Sequence, residues 1–173
     1  ADDMAWEVDF PGFGRTFPHA FGAADGKYFT TLLTLSPAGD EIILDFAKKL
    51  IAAEKIGADD VTDYLSISIS STDYVGHFFG PSSLESEDNL HRLDRTLADL
   101  LAYVDKTVGL DRTLIVLSAD HGASEVPGYL NSQGIGGSYF NFDNVDKSAA
   151  IAALKKEYTE MSQQLIDLEQ ELK

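Results

Sequence analysis

Residues 65–77 read Leu65-Ser66-Ile67-Ser68-Ile69-Ser70-Ser71-Thr72-Asp73-Tyr74-Val75-Gly76-His77, and residues 113–122 read Thr113-Leu114-Ile115-Val116-Leu117-Ser118-Ala119-Asp120-His121-Gly122. In the first, aliphatic residues alternate with serines, the period-two pattern of a strand, which predicts a strand over 64–71. In the second, a short continuous apolar run has the character of a strand buried on both faces of a parallel sheet, predicted over 113–119. Between them Leu90, Leu93, Leu97, Leu100, Leu101, Val104 and Val108 recur at helical spacing and Gly109 follows as a stop, so a helix is predicted over 87–108. Strand, helix, strand is a crossover unit. It predicts an α/β fold with parallel strands flanked by helices, in which both strands deliver their following loops to one sheet edge.

Ahead of these segments, Ser36-Pro37 pairs an N-cap residue with a first-turn proline. Asp40 and Glu41 sit at the positive end of the helix dipole and Lys48, Lys49 and Lys55 toward the other, which predicts a helix over 37–56 closed by Gly57. Tyr28 to Leu35 is expected as a strand. The first thirty residues hold seven aromatics, interrupted by Pro11, Gly12, Gly14, Pro18 and Gly22, and read as an irregular segment pinned by aromatic anchors. Gly134-Ile135-Gly136-Gly137 is expected to be a plain connection, because no helix begins directly after it. A long helix is expected from about Val145, giving a division into 1–144 and 145–173. From Leu154 its apolar residues step by 4, 3, 4, 3 and 4 through Tyr158, Met161, Leu165, Leu168 and Leu172, a heptad whose stripe is expected to be covered by the sheet or by a second copy.

At 173 residues and 18.8 kDa the chain is long enough to bury a core without staples. No apolar run approaches the roughly 18 residues of a membrane span. Thirteen basic residues against 29 acidic ones give a net charge of -16, which argues against nucleic acid and anionic membranes as partners. With no cysteine, any metal must be held by carboxylate and imidazole.

The charge is unevenly placed. No Lys or Arg occurs between Lys55 and Arg92, a stretch with seven acids, nor between Arg112 and Lys147. A solvated acidic face accounts for most of these acids. Of the four histidines, His77 and His91 lie in the first stretch and His121 in the second, and His77 and His121 each follow a predicted strand end together with an aspartate. Asp73 alone reads as a turn or helix cap, and Asp120-His121-Gly122 alone is a weak motif. Together, at successive strand ends, Asp73, His77, Asp120 and His121 are the candidate metal ligands. Such a donor set suits zinc or another divalent first-row ion, and two half-sites on one edge point to two ions about 3.5–4 Å apart, the arrangement used in phosphoryl chemistry. His19 and His91 lack such context and are expected to have packing or surface roles.

These residues, with Gly76, Phe79-Gly80-Pro81, Asp94-Arg95 and Ala119-Asp120-His121-Gly122, resemble the type I phosphodiesterase and nucleotide pyrophosphatase branch of the alkaline phosphatase superfamily. The likeness runs from about Phe17 to Tyr129, with single-domain phosphatases of the branch as the nearest kind. The resemblance implies a partial alkaline-phosphatase-like three-layer fold, a phosphate-ester small molecule as substrate, and two zinc ions, one held by Asp73 and His77 and the other by Asp120 and His121. It also implies export to the periplasm or beyond, although no signal peptide is visible. A Thr or Ser nucleophile and a further metal-binding Asp would come from an earlier segment and a last His from a later one. None is found here, so no catalytic residue is assigned, and the chain is expected to be an internal piece of a longer enzyme, inactive alone. Sulfatases fit less well, because their Cys or Ser in a Pro- and Arg-containing motif is lacking. The alternative from another class is a non-catalytic α/β module that forms a homo-oligomer through its final helix.

Overall fold

The computed structural model describes residues 3–142 and 148–171. Its helices are α1 (Phe29–Thr34), α2 (Pro37–Glu54), α3 (Ser70–Phe79), α4 (Leu84–Thr107), α5 (Pro127–Ser132) and α6 (Ala149–Glu171), with a 3-10 turn at Leu110–Arg112. The chain divides into two units, Ala1–Gly137 and Ser138–Lys173. No helix among the described residues is long and apolar enough to cross a membrane.

The predicted helix at 37–56 is α2. Ser36 is extended at the N-cap position and Pro37 opens the helix, but the Ser36 hydroxyl donates to Leu33 O at 2.8 Å and so does not cap α2. Lys55, left-handed at φ 56°, stops it ahead of Gly57. Asp40, Leu44, Ala47 and Ile51 form its buried stripe, at steps of four, three and four. The predicted helix at 87–108 is α4, and it begins earlier because the Ser83 side chain accepts from Ser86 N at 3.1 Å. Leu44, Ile51 and Leu100 join the two helices in one apolar cluster, on which Leu65 and Ile67 pack. A second cluster gathers Phe13, Leu32, Leu35, Val75 and Phe79, with Phe10, Phe21 and Tyr28 against it, so the aromatic N-terminal segment is anchored on α1 and α3.

The α/β expectation is corrected: the described residues form helices and no β-sheet, and the parallel strands predicted at 64–71 and 113–119 are absent. The physical reason is that a strand exists only through a partner's N–H and C=O groups. Among the described residues no backbone ladder joins 64–69 to 113–119, and the bridge between Phe10 and Gly14 is isolated. The alternation at 65–70 survives as partly covered Leu65, Ile67 and Ile69 against exposed serines. The second run is uncovered, with Leu114 90% and Val116 80% exposed. Residues 29–34 are also helical, not extended. Leu32 and Leu35, three apart, both enter the aromatic cluster, which only a helical turn achieves.

Of the final helix, α6 is described from Ala149, and Val145 and the 144/145 boundary lie outside the described residues. Leu154, Tyr158, Met161, Leu165 and Leu168 are exposed on it.

The N-terminus of α2 packs tightly on that of α3. A Cβ added to Gly39 would lie 2.1 Å from Ser71 Oγ, 3.2 Å from Ser71 Cβ and 3.1 Å from Leu33 O. Rotating the hydroxyl relieves only the first contact, so Gly39→Ala is expected to destabilise the chain by about 1–3 kcal/mol, read as a lower urea midpoint at unchanged m.

Candidate metal centre

The segment after residue 69 becomes helical although Ile69, at its N-cap, offers no capping oxygen. The orphan amides are satisfied from another helix. Asp40 of α2, 3% exposed, accepts from Ser71 N at 2.9 Å through Oδ1, and from Thr72 N and Thr72 Oγ1, each at 2.8 Å, through Oδ2. Asn89 of α4 donates to the same Thr72 hydroxyl at 2.9 Å. A buried carboxylate thus sits at the positive end of α3 and ties that helix to α2 and α4. In the sequence Asp40 shows only its place at the positive end of its own helix, and nothing local signals its contact with α3, 31 positions away.

The tether fixes α3, and α3 fixes Asp73 and His77, which lie four apart on one face. Both were expected in a loop after a strand; they stand on a helix. Asp73 Oδ1 lies 3.2 Å from His77 Nε2 and 3.3 Å from His121 Nε2. The donor atoms of all three residues fall within 4.8 Å of one another, and the two imidazole rings are 5.5 Å apart. Tetrahedral ligands about 2.0–2.1 Å from an ion are separated by about 3.3 Å, so the two shorter edges match a single zinc-sized ion.

His121 is prepared for that role by its own backbone. Its Nδ1 lies 2.8 Å from Gly122 O, and because a carbonyl only accepts, Nδ1 carries a hydrogen, which leaves Nε2, 3.3 Å from Asp73 Oδ1, as the nitrogen that could bind a metal. The same carbonyl holds the His121 imidazole above its ordinary pKa, and the charges of Asp120 and, more weakly, Asp73 push the same way. Asp120 stands at the edge of this group: its Oδ1 accepts from His121 N at 3.0 Å, and its Oδ2 lies 3.7 Å from His121 Nε2. It is mostly exposed. His121 therefore sits with Asp73 and His77, where separate Asp73/His77 and Asp120/His121 pairs were expected.

The remaining histidines lie elsewhere. His91 is exposed on α4. His19 is buried, stacked 4.5 Å from Phe13 and 5.2 Å from Phe79, with Nδ1 3.1 Å from Phe13 O and Nε2 2.7 Å from Glu85 Oε1. This contact fastens the N-terminal segment to the start of α4 beside the end of α3.

The model of the type I phosphodiesterase / nucleotide pyrophosphatase family matches residues 5–170. The chain belongs to this family. It is 46% identical to alkaline phosphatase PhoV of Synechococcus elongatus over 138 residues, covering 79% of this chain and 25% of PhoV. It is 40% identical to alkaline phosphatase PafA of Elizabethkingia meningoseptica over 159 residues, 91% of this chain and 29% of PafA. The crystal structure of wild-type PafA is similar with a TM-score of 0.78 at 37% identity, covering 92% of this chain and 30% of that one. This phosphodiesterase-family chain thus spans between 19% and 30% of the length of the relatives it matches.

Proposed function

We propose that the chain carries part of the metal centre of a zinc-dependent phosphate-ester hydrolase, with Asp73, His77 and His121 around one ion and Asp120 beside them as a ligand to a second. The observation that carries this reading is the meeting of one carboxylate oxygen and two imidazole nitrogens at tetrahedral-edge separations in a group open to solvent. Zinc bound there would supply a Lewis acid for a phosphoryl oxygen. The chain's own residues do the rest: Asp40 holds α3 in place, Gly122 fixes the His121 tautomer, and the exposure of all three donors leaves room for an anionic substrate to approach. Without a cation, Asp73 and Asp120 would repel a phosphate ester.

The same proposal makes the chain an internal part of a longer, exported enzyme, inactive alone for want of a nucleophile. The bare run Leu114–Leu117 and the limited span against PhoV and PafA support it. An assay with an aryl phosphate monoester and a diester at saturating zinc tests it. The expected result is no turnover approaching roughly 1 per second, and faster turnover abolished by Asp120→Ala would overturn the inactivity.

A second reading, an interaction module that assembles through α6, is favoured by the exposed heptad face of that helix. Under it the parent sediments as a dimer or larger and a Leu165→Glu, Leu168→Glu variant as a monomer; a monomeric parent contradicts it.

A further inference from the structure

His121 reaches the metal group from a stretch of chain that is covered by little else. Residues 114–124 are all exposed, between half-buried Thr113 and half-buried Glu125, and Val126 is the first buried residue after His121. Where His121 stands is therefore set by where the chain re-enters the fold, four and five residues further on.

Both re-entry residues land on the end of the helix that carries the other two donors. α3 ends at Phe79, and Gly80 follows it with φ 95°. A Cβ built on Gly80 would lie 3.3 Å from each Val126 methyl and 3.7 Å from Glu125 Oε2, so both side chains rest against bare backbone. The Ser82 hydroxyl donates to Glu125 Oε1. This tie joins a point five residues after His77 to a point four residues after His121, and only those two short arms then separate the imidazoles. Without it a longer exposed length of chain must be ordered to bring His121 to Asp73, at a cost that grows with that length.

We infer that Glu125 is a positioning residue for the metal group: it seats the segment bearing His121 against the end of α3, so that the His121 ring stands 5.5 Å from that of His77. On the metal reading proposed above, Glu125 holds the two halves of the site together without being a ligand. It lies outside the three-residue donor group, and its Oε2 is buried. A carboxylate near the site also favours a cation through its charge alone. Glu125→Gln separates the two effects, because glutamine keeps an oxygen to accept from Ser82 and carries no charge.

Two measurements on the full chain test the tie. In the metal-free chain at neutral pH, a nuclear Overhauser contact between the ring protons of His77 and His121 is expected, kept in Glu125→Gln and lost in Glu125→Ala. In zinc titrations Glu125→Ala is expected to bind about ten-fold more weakly than the parent, the low end of what a ligand's supporting contacts contribute, with Glu125→Gln close to the parent. Ser82 is exposed, so Ser82→Ala removes the donor without opening the fold and takes the place of Glu125→Ala if that variant fails to fold by circular dichroism. A ring contact that persists in the alanine variant, or is missing from the parent, overturns the inference. Equal weakening of zinc binding by Glu125→Gln and Glu125→Ala also overturns it, since charge would then be the whole effect. The expected pattern of ring contacts in a chain that binds no zinc supports the tie and contradicts the metal reading instead.

Discussion

Asp40→Ala is expected to destabilise the chain by about 2–4 kcal/mol, the largest effect of any single substitution outside the apolar clusters. The carboxylate accepts three hydrogen bonds, two of them from backbone amides in the first turn of α3, and is 3% exposed. Truncation leaves Ser71 N and Thr72 N orphaned where water enters poorly, and removes the charge that faces the positive end of α3. An N-cap replaced by alanine costs typically about 1 kcal/mol, but charge-assisted bonds to buried donors are worth roughly twice neutral ones, which sets the higher figure. Asp40→Asn keeps one acceptor and should lose about half as much. Urea unfolding followed by circular dichroism reads both. Since Asp73 and His77 ride on α3, the alanine variant should also bind metal less tightly than its residual fold alone accounts for.

Asp73→Ala is expected to abolish zinc binding, a loss of at least 100-fold in affinity, with little change in stability. Asp73 Oδ1 is the donor shared between the two imidazoles, at 3.2 and 3.3 Å, so without it two neutral nitrogens remain. Its side chain is 41% exposed and caps nothing that Asp40 does not already satisfy, so the fold should tolerate its loss. His77→Ala and His121→Ala should each weaken binding by a similar order. Asp120→Ala should weaken it less at this ion, because Asp120 lies outside the three-residue group. Isothermal calorimetry on the four variants ranks them.

What could be read in the sequence follows from how local each signal is. α2 and α4 announce themselves within their own residues, through Ser36-Pro37 and through leucines at helical spacing. Residues 65–70 and 114–117 carry strand patterns just as plainly. A pattern states which faces would be covered, however, and a sheet also needs a neighbouring backbone, which these segments do not find in one another. At 29–34 the apolar residues suited either periodicity, and packing on the aromatic cluster decided for helix. The candidate ligands were legible as Asp and His in two stretches without basic residues. Their grouping was not, because His121 meets Asp73 through a contact spanning 48 positions that only the folded chain displays. The Asp40 tether, 31 positions from Ser71, was hidden for the same reason.

Calorimetric titration of the full chain with zinc at neutral pH decides whether Asp73, His77 and His121 act as one metal site. Saturable binding is expected, with the first equivalent lost in both Asp73→Ala and His121→Ala, although these residues come from separate segments. Zinc binding that survives either substitution unchanged, or no saturable binding by the folded parent chain, would contradict such a site.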